Sequence, residues 1–206
     1  MKYIYEFIGT FFLVFTIGMT VLEPGIGVLA PLAIGSVLTA MVFAGGHVSG
    51  AHYNPAVSLA VCLRGKITGG QLLGYWVVQL AAAIVAAYLT VYLKGSSAGA
   101  PMVLDTTHAL IAEFLFTFAL CFVVLNVATA KKTAGNSFFG LAIGLIVLVG
   151  AYAVGTISGG AFNPAVALGI SIMKLSAWNN LWIFLVATLL GGACAAGVFK
   201  LAHPQE

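Results

Sequence analysis

Long apolar stretches separated by short polar breaks make up most of the chain. They run over Ile4–Val21, Gly27–Gly45, Gly70–Leu93, Ala109–Ala130, Phe138–Val154 and Leu181–Leu201. Roughly 20 apolar residues cross a hydrocarbon core of about 30 Å as a helix, so each stretch predicts one membrane span. Two further apolar stretches, Asn54–Leu63 and Asn163–Met173, are too short for that. About ten residues at 1.5 Å each give roughly 15 Å of helix, half the core. Each reads as a half-helix that enters the membrane and stops midway.

The two short stretches are copies of one pattern. Ser49-Gly50-Ala51-His52-Tyr53-Asn54-Pro55-Ala56-Val57 matches Ser158-Gly159-Gly160-Ala161-Phe162-Asn163-Pro164-Ala165-Val166, at an offset of 109 residues. Gly35 and Gly144 keep that offset, and Glu6-Phe7 with Thr10 echoes Glu113-Phe114 with Thr117. The chain is one membrane domain, 1–206, built of repeats of approximately 1–100 and 101–206. Each repeat holds three spans and a half-helix. An odd number of spans inverts the second repeat, and inverted repeats with broken helices are a transport architecture. The predicted fold class is all-α: six transmembrane helices plus two re-entrant half-helices.

Composition removes the soluble alternatives. Of 206 residues, 62% are hydrophobic and 6% charged, against about 25% charged in soluble domains. The net charge of +3 is scattered, which excludes a nucleic-acid partner. Cys62, Cys121 and Cys194 lie in apolar stretches and show no metal or disulfide spacing. The first stretch contains Glu6 and lacks a small-residue cleavage site before Glu23, so it is read as a span and not a leader. With the N-terminus inside, Lys2, Arg64, Lys66, Lys131, Lys132 and Lys200 are cytoplasmic and only Lys94 and Lys174 external. That bias predicts cytoplasmic termini. The expected location is the plasma (inner) membrane.

Asn-Pro-Ala twice, in inverted halves, carries chemistry. Asn is a good N-cap, Pro suits the first helical position, and Ala lets two helix ends approach. Each N-terminus brings roughly +0.5 elementary charge to the midplane. Asn54 and Asn163 would then present amide donors to a passing water oxygen, orienting the water and interrupting proton transfer. The positive potential repels cations.

With the Glu-Phe-x-x-Thr starts and the Tyr75-Trp76-Val77-Val78-Gln79 and Trp182-Ile183-Phe184 segments, these motifs resemble the aquaporin (major intrinsic protein) family over nearly the whole chain. The resemblance implies one pore per protomer, a homotetramer in lipid, passage of water and small neutral solutes, and no cofactor or bound metal. It also implies a selectivity filter at Ile34, Ala151, Gly160 and Val166. Most members have Arg after the second Asn-Pro-Ala; here that position is Val166. Water-selective members place a bulky aromatic and a His in the filter as well. The glycerol branch has Asp and a basic residue where this chain has Ala167 and Ser171. The Asn-Pro-Ala-Val-Ala run is locally similar to plant tonoplast intrinsic proteins, which pass water, urea, peroxide and ammonia. Ammonia, urea, hydrogen peroxide or glycerol are thus the expected solutes besides water.

Intramembrane carboxylates are costly and functional by default. Glu6 and Glu113 are therefore either a coupled-ion site or, as the resemblance implies, acceptors that support the re-entrant loops. Their symmetric placement favours support. His52 matches a loop-packing position, and Gln79 and Thr188 stand at matching places to hydrogen-bond the loops. Gly70-x-x-x-Gly74 and Gly140-x-x-x-Gly144 have a helix-packing spacing, and Gly35 and Gly144 are the candidates for the central crossing. The ring of Phe162 is expected to threaten the pore at the midplane. No nucleophile–base pair or phosphate loop is present, so an enzyme is rejected. A coupled transporter and a poorly conducting adhesion protein remain as alternatives.

Overall fold

The computed structural model describes residues 1–95 and 100–206. Its main helices are α1 Lys2–Val21, α2 Ala30–Ser49, α3 Pro55–Leu63, α4 Gly69–Lys94, α5 Thr106–Val124, α6 Phe139–Ser158, α7 Pro164–Ile172 and α8 Leu181–Ala202. Six are long and apolar enough to cross a membrane; α3 and α7 are the half-helices. Leu73, Val77, Ile111, Leu115, Val149 and Leu190 are at least half exposed on the outside of the bundle, a surface that only lipid or apolar protein can cover. The chain is an integral, multi-pass membrane protein.

Local chemistry sets the helix ends. Thr68 and Gln71 form a reciprocal capping box that starts α4, and the Asp105 carboxylate accepts the His108 N–H at the start of α5. Gly50 and Gly159 stop α2 and α6 with φ of 85° and 91°, a left-handed geometry that glycine adopts without steric cost. Both helices run four residues beyond the apolar stretches read from the sequence. Their last residues, Ser49 and Ser158, are nonetheless buried, because they bond to buried carboxylates, so polarity did not mark a helix end.

The halves interlock. Helix α1 packs on α4, α5 on α8, and α2 crosses α6. Each half-helix also packs against the last span of the other half, α3 on α8 and α7 on α4. At the central crossing, a Cβ on Gly35 would lie 2.9 Å from the Gly144 carbonyl oxygen, and one on Gly144 would lie 2.5 Å from that of Gly35. The helices touch backbone to backbone there. The Gly70-x-x-x-Gly74 spacing does not mark such a crossing. Gly74 makes room for the Tyr3 ring, and Gly70 has only the Thr68 hydroxyl within 4 Å of a would-be Cβ.

Substitution at the crossing should therefore be expensive. Gly144→Leu forces α2 and α6 apart, and overpacking costs typically 1–3 kcal/mol. Gly197→Ala in α8, where an added Cβ meets nothing within 4 Å, should be neutral or stabilising by up to about 1 kcal/mol. Thermal melting in detergent, followed by size-exclusion chromatography, measures both. Equal melting of Gly144→Leu and parent would disprove the close crossing.

Candidate functional site

Two loops must reach the middle of the bundle without leaving bare backbone, and two fully buried glutamates supply their acceptors. Glu6 accepts from the Ser49 hydroxyl (2.7 Å), the His52 N–H (2.9 Å), the Tyr53 N–H (2.7 Å) and the Gln79 amide (2.9 Å). Glu113 accepts from the Ser158 hydroxyl (2.7 Å), the Ala161 N–H (2.9 Å) and the Phe162 N–H (2.6 Å). Hydrogen bonds to an ionised acceptor are the stronger kind. They hold Ala51, Tyr53 and Phe162 at φ near +50°, a region unfavourable for residues with a Cβ.

The halves differ in one respect. Gln79 bridges Glu6 to Ser58, whose oxygen lies 3.0 Å from His52 Nδ1. Thr188, at the matching place, donates to the Phe184 carbonyl of its own helix and does not reach a loop. Sequence reasoning missed Ser58, Ser49 and Ser158. The two last open the repeated pattern at the 109-residue offset, a signal that was present. It also missed Trp76, whose indole N–H donates to the Pro55 carbonyl.

The half-helix starts meet at the centre. Asn54 caps α3 by accepting the Ala56 N–H at 2.8 Å, and Asn163 caps α7 by accepting the Ala165 N–H at 2.9 Å. Pro55 and Pro164 take the first helical positions. Across the dyad, the Asn54 amide donates to the Phe162 carbonyl at 2.8 Å and the Asn163 amide to the Tyr53 carbonyl at 2.9 Å. A primary amide has two N–H groups, so one on each remains after this cross-bracing. Both asparagines line a cavity of about 710 Å³.

Ile34, Ala151, Gly160 and Val166 line the same cavity. None of its lining residues is Lys, Arg, Asp or Glu among the described residues. Phe162 is not part of this wall. Its ring is buried between helices, 5.4 Å from the Phe116 centroid and against Gly150, so it does not narrow the midplane. Tyr53, its counterpart, wedges its ring against Gly9 and Gly45 and donates its hydroxyl to the Met41 carbonyl.

The family described as Major intrinsic protein matches residues 1–199. Aquaporin NIP3-1 of Arabidopsis thaliana is 35% identical over 226 residues, covering 100% of this chain and 68% of its own. Aquaporin NIP1-4 of Oryza sativa subsp. japonica is 35% identical over 209 residues, covering 95% and 74%. The tonoplast likeness is confined to a five-residue run, whereas these relatives match along the chain. The X-ray structure of the aquaglyceroporin from Plasmodium falciparum superposes with a TM-score of 0.81 at 24% identity, over 98% of this chain and 96% of that one; it shows the fold. The chain belongs to the major intrinsic protein family of membrane channels, and that membership implies a channel and not an enzyme.

Proposed function

We propose that this protein conducts water and small uncharged solutes passively, and that its outer filter is open to solutes larger than water. One observation carries the reading. A single cavity runs past all four filter positions and both asparagines, with no charged side chain on its wall among the described residues. Val166 supplies none of the donors, bulk or fixed charge that an Arg would bring, so the filter reads as apolar and roomy. Exclusion of protons and cations then falls to the midplane. There Asn54 and Asn163 offer their remaining N–H groups beside two helix N-termini, a device known in aquaporin-type pores. We place both termini in the cytoplasm, on the bias of Lys and Arg, and four copies in the assembly, as the family resemblance implies.

The filter reading is tested in proteoliposomes by stopped flow with water, glycerol, urea and ammonia. The parent should pass at least one solute besides water. Val166→Arg should cut solute flux several-fold more than water flux. A parent that passes water alone, or a variant that loses both in equal proportion, refutes the open filter.

The midplane reading has its own variant. Asn163→Asp places a carboxylate against the positive helix ends and should admit cations, seen as a rise in cation conductance in the same vesicles. Unchanged water flux and ion exclusion in both Asn54→Asp and Asn163→Asp would rule out the midplane role.

Glu113 separates a channel from a coupled transporter. Its oxygens are engaged by the loop, which supports a structural role. Glu113→Gln keeps an acceptor for the Ser158 hydroxyl and the Ala161 N–H but turns a donor toward the Phe162 N–H. It should melt earlier, by about 1.5–3 kcal/mol for a lost bond to a charged group, and still conduct. Uptake driven by a pH gradient in the parent, abolished in Glu113→Gln, would reverse this assignment.

A further inference from the structure

Beyond the asparagines, on the face of Lys66 and Thr129 that the proposed placement of the termini makes cytoplasmic, the larger cavity adjoins a second one. The inner cavity, about 250 Å³, is lined by Ser49, Gly50, Val61, Lys66, Ala128 and Thr129 among others. Two residues line both cavities: His52, on the first re-entrant loop, and Val124, the last residue of α5. Ile34, Ala151, Gly160 and Val166 all lie on the larger cavity, and the two cavities adjoin at His52 and Val124. We infer that His52 and Val124 form the size-limiting constriction of this channel, on the inner side of the midplane. The inference rests on the conducting role proposed above.

Both walls of the constriction are fixed by their own elements. His52 is held through Nδ1 by Ser58 and stacks edge-on with Tyr75 at 5.0 Å. Its Nε2 is the nearest heavy atom to a would-be Cβ on Gly50, 3.1 Å away, so it lies toward the inner cavity that Gly50 lines. Val124 is 5% exposed. The helix changes to a π-helical turn at the next residue, Leu125–Thr129. Such turns are rare and frequent at functional sites, and Ala128 and Thr129 of this one line the inner cavity. A solute at the constriction therefore meets an imidazole on one side and an isopropyl group on the other. That pair sorts by width, and it favours solutes with one polar and one apolar face. A β-branched side chain is stiff at χ1, so Val124 gives the slot a defined width.

The test compares linear polyols of increasing length, from glycerol to a five-carbon polyol, with water in proteoliposomes of the full chain. Val124→Ala should raise the flux of the longer polyols several-fold with a smaller change for water. Val124→Ile should lower polyol flux in the same graded way. Size-exclusion profiles and protein content of the vesicles normalise for folding, and two substitutions of opposite sign guard against one that fails to fold. If the parent conducts and neither variant moves the polyol cut-off, the constriction lies elsewhere. If Val166→Arg alone moves it, the outer filter sets the limit, and the inference is wrong while the channel reading stands. A parent that conducts neither water nor polyols removes the channel reading itself.

Discussion

A bilayer offers no water to an unpaired backbone amide, and this fold places two irregular loops at the depth where that matters most. Everything near the pore depends on how those amides are satisfied. Glu6 and Glu113 do so from α1 and α5, each with one carboxylate collecting a serine hydroxyl and two consecutive loop N–H groups. A neutral acceptor would serve fewer donors and serve them more weakly. The cost of a buried charge is offset because every donor around it would otherwise be an orphan. The left-handed conformations at Ala51, Tyr53 and Phe162 persist because these contacts over-determine them.

Once the loops are fixed, the two repeats lock through their asparagines. Each side-chain oxygen closes its own helix start, and each side-chain nitrogen closes on the other repeat. Neither half-helix can move along the pore without breaking a bond to the other. The rings before each asparagine finish the anchoring by leaving the pore: Tyr53 goes between α1 and α2, Phe162 between α5 and α6. The small residues that admit these rings belong to the spans. The midplane is therefore built by side chains packed at some distance from the path.

Much of this was legible because the repeat states it twice. The short apolar stretches, the Asn-Pro-Ala starts, the paired glutamates and the Gly35–Gly144 crossing all recur at matching offsets, and a pattern repeated in an inverted setting leaves few alternatives. What the sequence hid falls where the repeats diverge or where packing outweighs polarity. Thr188 mirrors Gln79 in position, but its side chain is too short to reach a loop and returns to its own helix. The ends of α2 and α6 looked polar, yet they are buried because a carboxylate waits for their serines. Gly70 and Gly74 had the right spacing, but Gly74 meets the Tyr3 ring of α1 and not a facing backbone, and Gly70 meets no other helix. Phe162 looked obstructive because the direction of a ring at a left-handed residue is decided by its neighbours.

On the filter proposed above, the residue after the second Asn-Pro-Ala is Val166 and not arginine, which alters which feature can limit the path. A fixed guanidinium narrows a pore and rejects cations at one level, doing two tasks with one side chain. With Val166 in its place, those tasks separate in space. Charge rejection needs only oriented dipoles, and helix ends at the midplane provide them regardless of pore width. Rejection by size needs opposing walls held at a set separation, which loops achieve only when braced. The first re-entrant loop is the better braced of the two, since Gln79 ties Glu6 to Ser58 and Ser58 meets His52, while the second repeat has no counterpart to that bridge. The loop wall at His52 is therefore braced by side-chain bonds, whereas the loop contributes only Gly160, with no side chain, at the outer level beside Ile34 and Val166. The asymmetry between two otherwise matching repeats thus supports the inferred size limit at His52 and Val124, with the outer half as an apolar vestibule.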